Sequence, residues 1–193
     1  MDASEIIDKM VRNLPFYETG GITATGGEPL LQIEFLTELF SLAKSKGIHT
    51  TLDTSGILFS QDKRDKYDAL MDVCDLVLLD IKHIDEDKHV HLTGASNKSV
   101  FEFMDYLKDV KKPVWVRHVI VPDITYKEEQ LKSLGSYLRG FDNVERVDVL
   151  PYHTMGVVKY QVLGDDYPLK GVMPLTKADA QKALEIINSA KYN

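Results

Sequence analysis

Cysteine is almost absent from this 193-residue chain: there is one, Cys74. A single thiol cannot form an internal disulfide, and it excludes every metal or cluster site that needs several thiolates. Long apolar runs are also missing. No window approaches the 18 uncharged apolar residues that a membrane-spanning helix requires. The start, "MDASEIIDKMVRNL", is acidic and amphipathic, with no basic segment leading into an apolar one, so no secretory signal is visible. Positive charge is in deficit, with 23 Lys and Arg against 30 Asp and Glu. The net charge of −7 argues against non-specific binding to nucleic acid or to an anionic membrane surface. One unpaired cysteine and no leader together predict a reducing, cytoplasmic setting. No Gly/Ser/Pro-rich linker divides the chain, and the sequence reads as one domain over residues 1–193.

What is present is a regular alternation. Five β-rich runs begin at Ile22 (ITAT), His49 (HTTLDT), Leu76 (LVLLDIK), Val114 (VWVRHVIV) and Val144 (VERVDVLPYH). Segments of helical period lie between them. In "LLQIEFLTELFSLAKSKG", Leu31, Phe35, Leu36, Leu39 and Leu42 fall on one face, and Gly47 stops the helix. In "NKSVFEFMDYLKDVKK" the face is Val100, Phe103, Met104, Leu107 and Val110. "YKEEQLKSLGSYLRG" and "TKADAQKALEIINSA" read likewise, the second with Thr176 as N-cap. Strand–helix units repeating at roughly 30 residues predict βαβ units and a parallel sheet. The chain opens on a helix, at about residues 2–14, where a β-then-α series would have a strand. The expectation is a barrel-like α/β fold that begins one strand late.

The polar residues hardest to explain as solvated surface sit where strands end. They are Gly26, Gly27 and Glu28 after the first, Asp53 and Thr54 at the second, Asp80 with Lys82 at the third, and His153 after the last, while Arg117 lies within the fourth. In barrel-like α/β folds the C-terminal rim of the strands collects the ligand chemistry, so these residues are expected to converge. Each also has a plain structural reading. The glycine pair suits a tight turn, Glu28 a helix N-terminus, and Asp53 and Thr54 a cap. Asp80 and Lys82, two apart on a strand, suit a neutralising pair, and Arg117 a solvated strand position. Those readings do not explain why all the residues fall at one rim. Cys74 reads as a packed core thiol. His83, His89 and His91 lack the spacing of a zinc helix and are expected to hold no metal.

The segments "GGITATGGEPLLQ", "FLTELFSLAKSKGIHTTLDTSG", "LVLLDIKHID", "VWVRHVIVP" and "VERVDVLPYH", in this order, resemble the radical S-adenosylmethionine (SAM) activases of glycyl-radical enzymes, those of pyruvate formate-lyase type above all. The resemblance implies an oxidoreductase with a partial TIM-like (β/α) barrel, whose first strand would be missing here. It implies SAM-binding roles for Gly26, Gly27, Glu28, Asp53, Thr54, Lys82, Arg117 and His153, and a monovalent cation near Asp53, Thr54 and Asp80. "DTSG" stands where such activases usually carry "DTNG". The resemblance further implies a glycyl-radical enzyme as protein substrate and flavodoxin or a similar electron donor as partner. It also implies a CxxxCxxC loop holding a four-iron four-sulfur cluster, which cleaves SAM reductively. This chain has no such motif, so the expectation is an N-terminally truncated activase that is inactive alone. The alternative expectation is a cluster-less module that keeps the barrel to bind a partner or ligand.

Overall fold

The computed structural model describes residues 1–13 and 20–192. Five strands, β1 (Gly21–Ala24), β2 (His49–Thr54), β3 (Leu76–Asp80), β4 (Val114–Ile120) and β5 (Val144–Pro151), form one sheet in sequential order with every pairing parallel. Each crossover is helical: α2 (Ile33–Ser45), α3 (Arg64–Val73), α4 (Glu86–Thr93) with α5 (Lys98–Asp109), and α6 (Glu128–Leu138). An N-terminal α1 (Ala3–Val11) precedes β1, and α7 (Val157–Leu163) and α8 (Lys177–Tyr192) follow β5. This sequentially wound parallel sheet is the partial TIM-like barrel expected.

The strands show why the sheet is two-sided. In β4, Val114, Val116, His118 and Ile120 are buried, while Trp115, Arg117 and Val119 between them are only half-buried. In β3, Val77 and Leu79 are buried, and Leu76, Leu78 and Asp80 less so. One face therefore packs under helices and the other stays open, as the two-residue side-chain period dictates. The buried face meets one contiguous core that includes Phe40, Leu52, Leu70, Phe103, Leu107 and Ile187. α8 seals this core beyond β5 by lying against α6. A Cβ added to Gly135 of α6 would come 2.2 Å from the carbonyl oxygen of Ile187 and 2.8 Å from Cβ of Ala190, so only glycine permits that approach.

All five strands lie where periodicity placed them, but the helices differ in part. The core face of α2 is Ile33, Leu36, Leu39, Phe40 and Ala43. Leu31, expected on that face, is 71% exposed. It belongs to a 3₁₀ turn, Pro29–Gln32, whose tighter winding carries Leu31 out of phase with the α-helix that follows. α1 ends at Val11, and Leu14, the last residue expected in it, lies outside the described residues. α3, α4 and α7 are not among the helical segments picked out from the sequence, although α3 buries Tyr67, Leu70 and Met71 at helical spacing. In α5 the expected Val100, Phe103, Met104 and Leu107 are buried. Thr176 accepts from the backbone N–H of Asp179 at 3.2 Å, the N-cap bond expected at the start of α8.

Candidate functional site

The open face carries a charged network that joins three strands. Arg117 on β4 donates Nε–H to Asp80 Oδ1 at 2.9 Å, and its Nη1 and Nη2 to the two carboxylate oxygens of Asp53 at 2.9 and 2.5 Å. Asp80 is its register partner on the neighbouring β3. Asp53 lies one strand further, on β2, so the guanidinium reaches across β3 to form the bidentate fork that only arginine offers. Lys82, just past β3, donates to the other oxygen of Asp80 at 2.7 Å. Thr25, at the end of β1, donates to Asp53 at 3.1 Å.

Two carboxylates and two cations leave this network neutral. Its side chains are only 14–34% exposed, so the pairs are strengthened by partial exclusion of water. Burial alone would lower the proton affinity of Arg117, but Asp80 and then Asp53 outweigh it and hold the guanidinium more firmly charged than usual. Three of its five N–H groups are used, as is one of three on Lys82, so both keep donors for an anionic group.

Glu28 occupies a second, adjoining cluster. Its Oε1 accepts from Thr54 Oγ1 at 2.5 Å and from the N–H of Leu30 at 3.2 Å; its Oε2 accepts from the N–H and the hydroxyl of Ser55 at 3.0 and 2.6 Å. A carboxylate offers about four acceptor sites, and all are taken by the protein itself. Glu28 thus caps the 3₁₀ turn after β1 and ties it to the end of β2. Its negative charge has a second effect: burial first, and Glu28 next, push the Tyr67 hydroxyl up to about 12. Gly26 and Gly27 precede this pinned carboxylate and are exposed, with nothing within 4 Å of an added Cβ. Gly26 takes φ +139°, a conformation open to glycine and strained for other residues.

The structure therefore brings together Asp53, Asp80, Lys82 and Arg117, and places Gly26, Gly27, Glu28 and Thr54 beside them. The side chain of Thr54 turns to the buried face and serves Glu28, not the Asp53–Asp80 pair. His153 lies beyond β5 as an exposed cap, with Nδ1 accepting from the N–H of Met155 at 3.3 Å. Cys74 is buried, as expected for a core thiol. Among the described residues no group of three or more His, Cys, Asp or Glu side chains is arranged to hold a metal ion. No described helix is long and apolar enough to cross a membrane.

Two contributors escaped sequence reasoning. Thr25 stands directly before the glycine pair, but nothing local says that the β1–β2 register points its hydroxyl at Asp53. Ser55 was legible only as part of "DTSG". Its position relative to Glu28, 27 residues earlier, comes from strand pairing.

Comparison with known proteins adds to this geometry. The Radical SAM superfamily model matches residues 1–134. The pyruvate formate-lyase-activating enzyme of Streptococcus mutans is 48% identical over 98% of this chain and 73% of its own length. That of Listeria monocytogenes is 42% identical over 98% of this chain and 78% of its own length. A crystal structure of a domain of pyruvate-formate lyase-activating enzyme from Bacteroides vulgatus aligns with TM-score 0.71 at 23% identity, over 89% of this chain and 94% of that one. Streptococcus suis SuiB bound to S-adenosylmethionine aligns with TM-score 0.61 at 17% identity, over 88% of this chain and 34% of that one. At these identities the two structures speak for the fold, and the sequence matches for the lineage. The chain belongs to the radical SAM superfamily and, within it, to the family of pyruvate formate-lyase-activating enzymes.

Proposed function

We propose that residues 1–193 act as one radical SAM domain that forms the SAM-holding rim of an oxidoreductase, an activase whose protein substrate is a glycyl-radical enzyme of pyruvate formate-lyase type. The observation that carries this is the meeting of Arg117, Asp53, Asp80 and Lys82 at one rim, beside the exposed Gly26–Gly27 turn, in a chain 48% identical to such an activase. Flavodoxin or a similar donor is the proposed electron source.

The residues present fit SAM. Spare N–H groups on Arg117 and Lys82 suit its carboxylate, because charge-assisted bonds to a partly buried cation are the stronger kind. Unobstructed backbone at Gly26 and Gly27 suits its ammonium, which peptide carbonyls can accept. Glu28 and Thr54 serve by fixing that turn against β2. His153, exposed beyond β5, is the proposed contact at the far end of the ligand. Asp53 and Asp80 are the proposed carboxylate donors for a monovalent cation, with Thr54 able to add only its backbone carbonyl because its hydroxyl is held by Glu28, and admitting the ion requires the Arg117 guanidinium to release part of its double bridge. SAM, reductively cleaved with one electron from the donor, would supply the radical that takes hydrogen from the protein substrate.

The residues present do not fit a four-iron four-sulfur cluster. Such a cluster needs several thiolates, and the one thiol here is buried, its pKa pushed up to about 11 by burial. The chain by itself is therefore proposed to bind SAM without cleaving it. The same buried thiol favours the second reading, a cluster-less module that binds a partner or ligand through the same rim.

Calorimetric titration with SAM tests the first reading, with saturable one-to-one binding expected. Lys82→Met should weaken it about tenfold, in line with the loss of one charge-assisted contact. No binding to a folded chain would overturn the assignment of the rim. Anaerobic reconstitution with iron and sulfide is expected to leave no stoichiometric cluster, and finding one would overturn the cluster argument.

A further inference from the structure

His83 follows Lys82, and the side-chain alternation at the end of β3 sends the two in opposite directions. Lys82 joins the open-face network, whereas His83 is 2% exposed. The loop that carries it is pinned: the Asn97 amide donates to the carbonyls of His83 and Ile84 at 3.1 and 3.0 Å. His83 Nδ1 accepts from the N–H of Asp85 at 2.9 Å, so in the neutral ring the proton sits on Nε2, as a donor. Burial lowers the proton affinity of this ring and keeps it neutral. That Nε2 is buried and has no hydrogen-bond partner. The Gln130 side chain, in the first turn of α6, approaches this ring and favours its protonated form, but the contact falls outside hydrogen-bond geometry, and the buried Gln130 Oε1 has no other partner. A buried donor that faces a buried acceptor without a well-formed bond between them costs free energy, and a group that bridged the two would satisfy both.

Both residues line a partly open cavity of about 840 Å³ between the β3–α4 and β4–α6 connections, bordered on the outer side by α7 and the segment after it. Its lining shares no residue with the Arg117 network. Leu92 and Ile124 form apolar walls. Tyr160 and Tyr167 form an aromatic one, their rings edge-on with centroids 5.1 Å apart. Asp87 with Lys88, and Asp123 with Lys127, bring both signs of charge to the lining in equal number, which favours a neutral ligand over an ion.

We propose that this cavity is a second binding site, separate from the SAM rim, for a ligand bearing a primary carboxamide. A primary amide presents its C=O and one N–H on the same edge, so the carbonyl can take the His83 Nε2–H while the N–H meets Gln130 Oε1. A trans peptide group, with C=O and N–H on opposite edges, cannot pair with both at once. A carboxylate supplies no donor and would leave the Gln130 acceptor unmatched, the kind of mismatch by which buried polar groups reject an analogue. The amide can come from a free small molecule or from an Asn or Gln side chain of a polypeptide.

The test is ligand-observed NMR on the intact chain with two probe pairs: nicotinamide against nicotinate, and N-acetyl-Ala-Gln-Ala-N-methylamide against its Glu counterpart. At least tenfold preference for the amide member of either pair supports the site, and the pair showing it identifies the source. Gln130→Leu should abolish that preference. Should that variant fail to fold, Tyr160→Ala should weaken the preferred probe severalfold. Saturating SAM should change neither result. Equal binding of amide and acid, no saturable binding of any probe, or displacement by SAM would overturn the proposal.

Discussion

Glu28 and Thr54, 26 residues apart in sequence, share a 2.5 Å hydrogen bond that fastens the turn after the first strand to the end of the second. The glycine turn is held from the side away from the open face, by a carboxylate whose acceptor sites are all in use. Replacing Glu28 with Ala leaves the Thr54 and Ser55 hydroxyls and two backbone N–H groups without that acceptor. The expected cost is about 1–3 kcal/mol in urea unfolding, with SAM affinity falling as the turn loosens. An unchanged midpoint would mean that water replaces the carboxylate at no cost.

Arg117 stands between two carboxylates, so its removal does more than delete two ion pairs: it leaves Asp53 and Asp80 as uncompensated charges in a partly water-excluded site. Arg117→Met should destabilise the chain by about 2–4 kcal/mol, less than a fully buried pair because the network is partly exposed. The double variant Arg117→Met with Asp53→Asn should recover part of the loss. Strict additivity in chemical denaturation would show that the two residues are not coupled.

Acid should unfold the chain through its buried histidines. His118 is buried on the helix-covered face, and burial holds its pKa below the ordinary 6.5, as it does for His83. The folded state thus binds fewer protons than the unfolded state once the pH falls below about 6.5. This contribution is complete above that value and declines as the pH drops toward the lowered folded-state pKa values. Melting temperatures from pH 8 to 5 should be flat and then fall, with a shallower fall in His118→Gln if that variant folds. A melting temperature that rises below pH 6.5 in the native chain would contradict this.

Cys74 should report unfolding. Burial raises its pKa to about 11, so at pH 8 the thiolate is rare as well as inaccessible. Thiol labelling should be slow in the native state and stoichiometric in denaturant, following the opening equilibrium. Fast labelling without denaturant would place the thiol nearer to solvent than the fold does.

Gly135 sets the seat of α8. Gly135→Ala pushes a methyl into the Ile187 carbonyl and Ala190, and α6 and α8 must separate to relieve it. The expected loss is about 1–3 kcal/mol in thermal or chemical denaturation, the range for overpacking a tight contact. A stabilised variant would show that the helices move apart freely.

How much of this was legible beforehand depended on distance along the chain. Apolar alternation and the roughly 30-residue repeat determined the five strands and their parallel order, because both follow from the two-residue side-chain period and from a helical crossover between each pair of strands. The same repeat placed Glu28, Asp53, Asp80 and His153 at strand ends, and the single cysteine ruled out a cluster from the residues present. Leu31 was misplaced because the 3₁₀ turn before α2 has no apolar signature of its own. The pairing of charges was decided only in three dimensions. Asp80 could be matched with Lys82 from their spacing, but that Arg117 reaches past its own neighbour to grip Asp53 depends on strand register. That Glu28 spends every acceptor site on Thr54, Ser55 and its own turn depends on it too. So does the opposite course of Lys82 and His83, one toward the network and one into the cavity beneath α7. Local periodicity fixes which face a side chain takes, whereas its partners come from other strands and helices, at distances along the chain that no local pattern encodes.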